Sequence, residues 1–421
     1  MPIMLLGIAC WSWERNIRSK LRKTGMALQG HPLYIWFPMS ARVCLLGVVL
    51  MAIPAFSTDP TSIEQIAKQA ERAQNSNQLN QAIDLYQRGV RLEPTWSEGW
   101  WAIGTLLYEQ DRFPEARAAF RRFVAVSPKP GPGYAFLALC EYETKDYGQA
   151  LRHFRAWSSR GWSGTMELID VATFHFALLL TREGKFIEAL YLLAGEAEKS
   201  HSGATLIEAM GLASLRMRMI PEDYPPEQRE MVWLAGKSAF YAAAHPPVYP
   251  LAEEYAARLV QHYNDRPNVH YYVGTLWKFE SKNDEDVAQQ FQQELAISPR
   301  HAPAMIELAR VELEDNRVDD ALTLAKNACD LEPENSEAHR VYGQVLMNLK
   351  RYEDSARELE AAKRLAPDSA PVRFQLATVY RRLGRAQEAE RESAAFDLLK
   401  DKQMVIESPK EKLGNNPDFL K

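Results

Sequence analysis

The sequence predicts an all-α protein, an α-solenoid of stacked helix–turn–helix repeats that is kinked or irregular near its middle. Three observations carry this expectation. Ala82, Tyr86 and Pro94 recur 34 residues later as Ala116, Phe120 and Pro128, in the same order and at the same offsets. Pro299, Pro333 and Pro367 repeat that 34-residue interval. The 421 residues hold only 21 glycines and long Ala/Leu/Glu/Arg runs, a composition that favours helix. A fixed period of this length decides the architecture, because each repeat is one supersecondary unit that must stack to bury its apolar face.

Residues 1–57 stand outside the repeat. Val43–Ile53 is an unbroken apolar run of eleven residues, preceded by Arg42 and followed by Pro54-Ala55-Phe56-Ser57. A charge, a short apolar core and small residues two apart form the layout of a secretory signal at 43–57. The run is shorter than the ~20 residues that a membrane-spanning helix needs. Cleavage is expected after Ser57, and a start at Met39 would make the signal compact. A retained signal anchor is the alternative, with membrane contact only through this leader.

Residues 58–198 hold the N-terminal repeats. The first unit begins with a polar helix, Ile63–Asn75, suited to the water-facing end of a stack. The second, 97–130, carries Trp100, Ile103 and Gly104, then Ala116, Phe120 and Pro128. The third has Tyr134, Ala138, Ala150 and Phe154, and the fourth has Phe176, Ala177, Gly184 and Ala189. Small residues sit where the two helices of a unit cross. Aromatics fill the space between units, and proline ends the second helix because it lacks an N–H and clashes with the preceding turn.

Residues 199–266 break the rhythm. Ala204–Met219 reads as a first helix, Ile220–Pro226 as a lengthened loop, and Glu227–Ala244 as the delayed second helix of one degenerate unit. Leu251–Tyr263 follows as a further helix. Regular units resume over 267–400, with Gly274, Ala309, Gly343 and Ala377 at the small first-helix position. Residues 401–421 form a polar tail.

This pattern resembles the tetratricopeptide repeat family over about 62–400, in eight or nine units. The resemblance implies a non-enzymatic scaffold that binds a protein or peptide segment in a groove lined by its first helices. Carried over residue by residue, the groove would present Trp101, Tyr108 and Tyr142 in the N-terminal half. In the C-terminal half it would present Tyr271, Lys278, Phe279, Arg310, Arg340, Phe374, Arg381 and Arg382. Arginines grip carboxylates bidentately and aromatics add apolar area, so an acidic and apolar segment is the expected partner. The alternative is that the arginines pair with Glu307, Glu314 and Glu337. The lysine and asparagine set with which part of the family grips chaperone C-termini does not occur at these positions.

Chemistry of other kinds has little support in the sequence. It has no phosphate loop, dinucleotide glycine motif, His-Glu-x-x-His or Cys-x-x-Cys, so no catalytic residue, cofactor or metal is expected. Cys140 and Cys329 are expected to be buried free thiols. Gly161-Trp162-Ser163-Gly164 lacks nucleophile-elbow spacing, and His175 reads as a packed helix residue. The net charge is −5, and six of the 50 basic residues but only one of the 55 acidic ones precede residue 58. An acidic body argues against nucleic-acid binding. The resulting expectation is an exported, periplasmic or envelope scaffold of bacterial type. The competing expectation is an accessory or carbohydrate-handling protein with a site in 199–266.

Overall fold

The computed structural model describes residues 62–199, 203–280 and 282–406. The expected signal segment and the tail beyond residue 406 lie outside them. Among the described residues there are nineteen α-helices and no strand, as the repeat period requires. The residues fall into two compact units, 62–213 with 217–225, and 214–216 with 226–406.

The first unit holds four hairpins: α1 (Ile63–Asn75) with α2 (Leu79–Leu92), α3 (Ser97–Glu109) with α4 (Phe113–Val126), α5 (Gly131–Glu143) with α6 (Tyr147–Ser158), and α7 (Met166–Glu183) with α8 (Phe186–Glu198). α9 (Ala204–Ser214) follows. The second unit holds five: α10 (Arg229–Ala243) with α11 (Tyr249–Tyr263), α12 (Val269–Phe279) with α13 (Asp284–Ile297), α14 (Ala302–Glu314) with α15 (Val318–Leu331), α16 (Ser336–Asn348) with α17 (Tyr352–Leu365), and α18 (Ala370–Arg382) with α19 (Ala386–Ile406).

The local signals act as their chemistry dictates. α2, α4, α13, α15 and α17 each end two residues before Pro94, Pro128, Pro299, Pro333 or Pro367. The turn inside six of the hairpins repeats too. Asn77, Asp111 and Lys145, then Asn316, Lys350 and Gly384, take left-handed backbone at 34-residue intervals, with φ between 58° and 73°. The next N–H reaches back five residues, as from Arg112 to the Leu107 carbonyl at 3.0 Å and from Arg351 to Leu346 at 2.9 Å. This closure satisfies carbonyls that the helix end leaves open.

The crossing of each hairpin explains the small residues. A Cβ on Gly104 would lie 2.7 Å from the Phe120 ring, on Gly274 2.8 Å from Phe291, and on Gly343 2.7 Å from Leu359. Phe120, Phe154 and Phe291 have no exposed surface. Ala116, Ala150, Ala189 and Ala321 are likewise fully buried on the opposing helices.

The irregular stretch differs from the sequence reading. α9 ends as a first helix does, with Arg216 left-handed (φ 53°) and Met217 N–H bonded to the Leu212 carbonyl at 2.8 Å. No second helix follows; residues 217–225 are turn and coil. The helix expected as its delayed partner, α10, instead pairs with α11. Ser238 Oγ–H donates to the Ala252 carbonyl at 2.7 Å inside that pair. Gly236, buried, takes the place in α10 that Gly274 has in α12. The degenerate unit is therefore a lone first helix followed by a complete hairpin.

Candidate functional site: the first-helix face

In the second unit the side chains expected in the groove form a chain of ion pairs from one first helix to the next. Lys278 of α12 meets Glu307 of α14 at 2.7 Å, and Glu307 holds Arg310 at 3.3 Å. Arg310 also pairs with Glu337 of α16, which binds Arg340 through two hydrogen bonds of 2.6 and 2.8 Å. Gln344 then accepts from Gln375 of α18 at 3.2 Å. This corrects the expectation that Arg310 and Arg340 stand ready for a ligand's carboxylate. Their own carboxylates, Glu307 and Glu337, occupy them. The cause is the repeat itself, which brings residues about 30 apart on successive first helices into register.

Along this ladder Lys278, Arg310 and Arg340 alternate with Glu307 and Glu337, and Arg216 lies 5.5 Å over the Tyr271 ring. Burial depresses the pKa of Arg310, and the neighbouring Arg340 depresses it further against the pull of Glu307. Burial does the same to Arg340. Arg310 Nε is buried with no hydrogen-bond acceptor. Half-buried cations with an unused donor leave room for an additional anionic group.

The other expected residues divide sharply. Trp101 and Tyr108 are core: Trp101 packs among Phe120, Phe123 and Phe136 at 5.0–5.8 Å, and Tyr108 stands edge-on to Phe113 and Phe136. Tyr142 is half-buried against Tyr147 and His175. The N-terminal aromatic wall is thus packing between repeats rather than open surface. Tyr271 is also packed, 4.9 Å from His301 and 6.1 Å from Phe291. His301 Nδ1 accepts the Ala304 N–H at 3.0 Å, so Nε2–H donates to Asn268 Oδ1 at 2.9 Å. Burial and nearby Arg216 push its pKa down to about 4, which keeps it a neutral cap on α14. Phe279 and Phe374 are exposed, at 79% and 54%. Arg381 donates to Ser393 at 2.5 Å, and Arg382 is exposed.

The corrected pairing of α10 reveals residues that sequence reasoning missed. With Gly236 aligned to Gly274, Trp233, Lys237 and Tyr241 take the places of Tyr271, Thr275 and Phe279 on a first helix. Lys237 Nζ lies 5.3 Å from the Trp233 ring centre and 5.6 Å from that of Tyr241. Tyr241 stacks on Tyr255 at 5.7 Å, and Arg258 covers Tyr255 at 5.6 Å. The result is a partly exposed run of aromatic and cationic groups. The signal was the Gly236 spacing, hidden by the five-residue loop 244–248 before α11.

Other polar clusters are structural. Glu141, fully buried, is held by Arg121 at 3.2 Å, Arg117 at 3.4 Å and His153 at 2.6 Å, tying α4, α5 and α6 together. His175 is buried and donates from Nδ1 to the Val171 carbonyl at 2.7 Å. Trp157 Nε1–H donates to the Ser163 carbonyl at 2.9 Å, and Trp162 stands edge-on to Trp157, so residues 161–164 brace a turn. Cys140 and Cys329 are buried free thiols. No helix among the described residues is long and apolar enough to cross a membrane.

A family model described as tetratricopeptide repeat matches residues 68–135, 102–164 and 306–370. No curated protein matches the chain. Among solved structures, MamA (residues 41 to the end) from Desulfovibrio magneticus RS-1 is 16% identical, covering 41% of this chain and 97% of that one at a TM-score of 0.36. A double mutant of MamA RS-1 is 16% identical, with 41% and 96% covered and a TM-score of 0.36. A further MamA crystal structure is 11% identical, with 42% and 94% covered and a TM-score of 0.35.

Proposed function

We propose that this chain, whose residues 68–164 and 306–370 match tetratricopeptide repeats, is a protein-interaction scaffold of a generally non-catalytic kind, exported to the cell envelope, where it holds an acidic, partly apolar segment of a partner protein during assembly. The observation that carries the reading is the buried Arg310 Nε without an acceptor in the ladder from Lys278 to Arg340, flanked by exposed Phe279 and by Trp233, Lys237 and Tyr241. An acidic side chain entering there accepts from Arg310 Nε, while the aromatics take apolar anchors.

The test is photo-crosslinking in the native host, with the reactive amino acid placed at Lys237, Phe279 or, as a control on an outward face, Arg357. Mass spectrometry should recover the same partner from the first two sites and not from the third. Binding of that partner should weaken in Arg310→Ala and in high salt. Equal capture from all three sites would refute the face. N-terminal sequencing of the native protein tests cleavage separately: Thr58 as the first residue supports a cleaved, exported protein, and an N-terminal Met1, Met26 or Met39 favours a cytoplasmic or anchored one.

A second reading keeps one specific observation in its favour. The Trp233, Tyr241 and Tyr255 rings suit a sugar face as well as a peptide, which is the carbohydrate-handling alternative. Tryptophan fluorescence titration with envelope oligosaccharides, abolished by Trp233→Ala, would favour it over the peptide scaffold.

A further inference from the structure

Three side chains that the sequence shows as unrelated converge in the second unit. Cys329 of α15, His339 of α16 and Glu358 of α17 bring one sulfur, one nitrogen and one oxygen within 4.8 Å of one another. We propose that Cys329, His339 and Glu358 form a site for one divalent metal ion of the zinc class, clamping three successive helices. The donor set of thiolate, imidazole and carboxylate suits zinc, which takes three protein ligands and leaves a fourth position for water.

The repeat makes the convergence a built feature. The same three places one repeat earlier hold Leu295, Met305 and Leu324, an apolar trio in the core between hairpins. One repeat later they hold Lys363, Arg373 and Glu392, where both cations bind the carboxylate at 3.0 and 2.8 Å. The middle step keeps the glutamate and replaces lysine and arginine by cysteine and histidine. Its geometry therefore favours a positive centre beside the carboxylate, yet the thiol brings no charge of its own.

The histidine gives an independent indication. His339 Nε2–H donates to the Pro333 carbonyl at 3.0 Å, the contact that Arg373 makes with the Pro367 carbonyl. That bond fixes the tautomer and leaves the Nδ1 lone pair aimed at Glu358 Oε2, 2.7 Å away. Two acceptors at that distance need a cation or a proton between them. A backbone carbonyl on the far nitrogen is the usual way a metal-binding imidazole is oriented. Cys329 is nearly buried, while the His339 and Glu358 side chains are 15% and 24% exposed, which gives an ion an entry side. On binding, the thiol proton and the proton between His339 and Glu358 leave for solvent as the dication enters, so charge balances.

The experiment uses the full chain, stripped with chelator and dialysed, then titrated with zinc and with cobalt. The expected result is one equivalent bound, a rise in thermal midpoint with zinc, and for cobalt an intense near-ultraviolet thiolate band. Cys329→Ser should abolish that band and weaken binding beyond the roughly 10–100-fold that loss of a mere orienting partner costs. His339→Arg copies the neighbouring ion pair. It should keep the metal-free midpoint and lose the zinc response, which keeps the test decisive if the serine variant folds poorly. A wild-type chain that takes up no metal, or metal binding that survives His339→Arg unchanged, would overturn the site and leave a proton-bridged His339–Glu358 pair.

Discussion

Gly104→Ala adds a single methyl group, and the structure gives it a sign. A Cβ there would lie 2.7, 2.8 and 2.9 Å from Cε1, Cζ and Cδ1 of Phe120. Carbon atoms rest at ~3.5–4.0 Å, so the ring must retreat by about 0.7–1 Å. It has nowhere to go. Phe120 is fully buried, its far face stacks on Phe136 with ring centres 5.1 Å apart, and Trp101 closes its edge at 5.8 Å. Overpacking of this kind costs ~1–3 kcal/mol. Alanine recovers about 1 kcal/mol of helix propensity over glycine, so the net effect is a loss of up to roughly 2 kcal/mol. Gly195 provides the control, since it lies inside α8 with nothing within 4 Å of the added Cβ. Gly195→Ala should therefore stabilise by roughly 0.5–1 kcal/mol. Repeat arrays depart from two-state unfolding, so the assay is native-state hydrogen exchange resolved by helix, beside urea midpoints. Amides of α3 and α4 should exchange faster in Gly104→Ala, and those of α7 and α8 should be slower in Gly195→Ala. Unchanged or greater protection of α3 and α4 in Gly104→Ala would refute the crossing geometry.

Glu141→Ala removes the fully buried carboxylate that joins Arg121 and His153 to Arg117, which keeps Asp146 at 2.5 Å; losing these charge-assisted hydrogen bonds should cost about 1.5–3 kcal/mol, and a urea midpoint within error of wild type would contradict the cluster. Glu280 titrates unusually: burial first, then the hydrogen bond and charge of Glu253, push its carboxyl up to about 7 from an unfolded value of 4.5. The folded state holds that proton more tightly, so its contribution is fully present below pH 4.5 and is lost as pH rises through 7. The wild-type midpoint should fall relative to Glu280→Gln across that window, and parallel pH profiles would exclude the Glu253–Glu280 pair as the cause. For His301 the sign reverses: its pKa falls from 6.5 to about 4, so its stabilisation is present above 6.5 and is lost as pH drops through 4. His301→Ala should cost about 1 kcal/mol at pH 7 through the lost cap on α14 and less near pH 4; an equal loss at both would show that the cap does not depend on the neutral ring.

What the sequence determined by itself is whatever a hairpin settles within its own thirty-odd residues. The proline ends of α2, α4, α13, α15 and α17 follow from backbone chemistry, and the glycine and alanine crossings follow from spacing. The buried state of Phe120, Cys140 and His175 was legible for the same reason. Tertiary structure decided what faces what between helices. Trp101 and Arg340 occupy similar places in the repeat pattern, yet one is enclosed by Phe120, Phe123 and Phe136, and the other is held by Glu337. The pairing of α10 with α11 depended on the backbone leaving helix after Ser214, with Arg216 left-handed, where local propensity permitted another helix. Cys329, His339 and Glu358 stand ten and nineteen residues apart, a spacing with no meaning along one helix. They meet because stacking superimposes every step of the array on the next, and side chains from three helices then share one small volume.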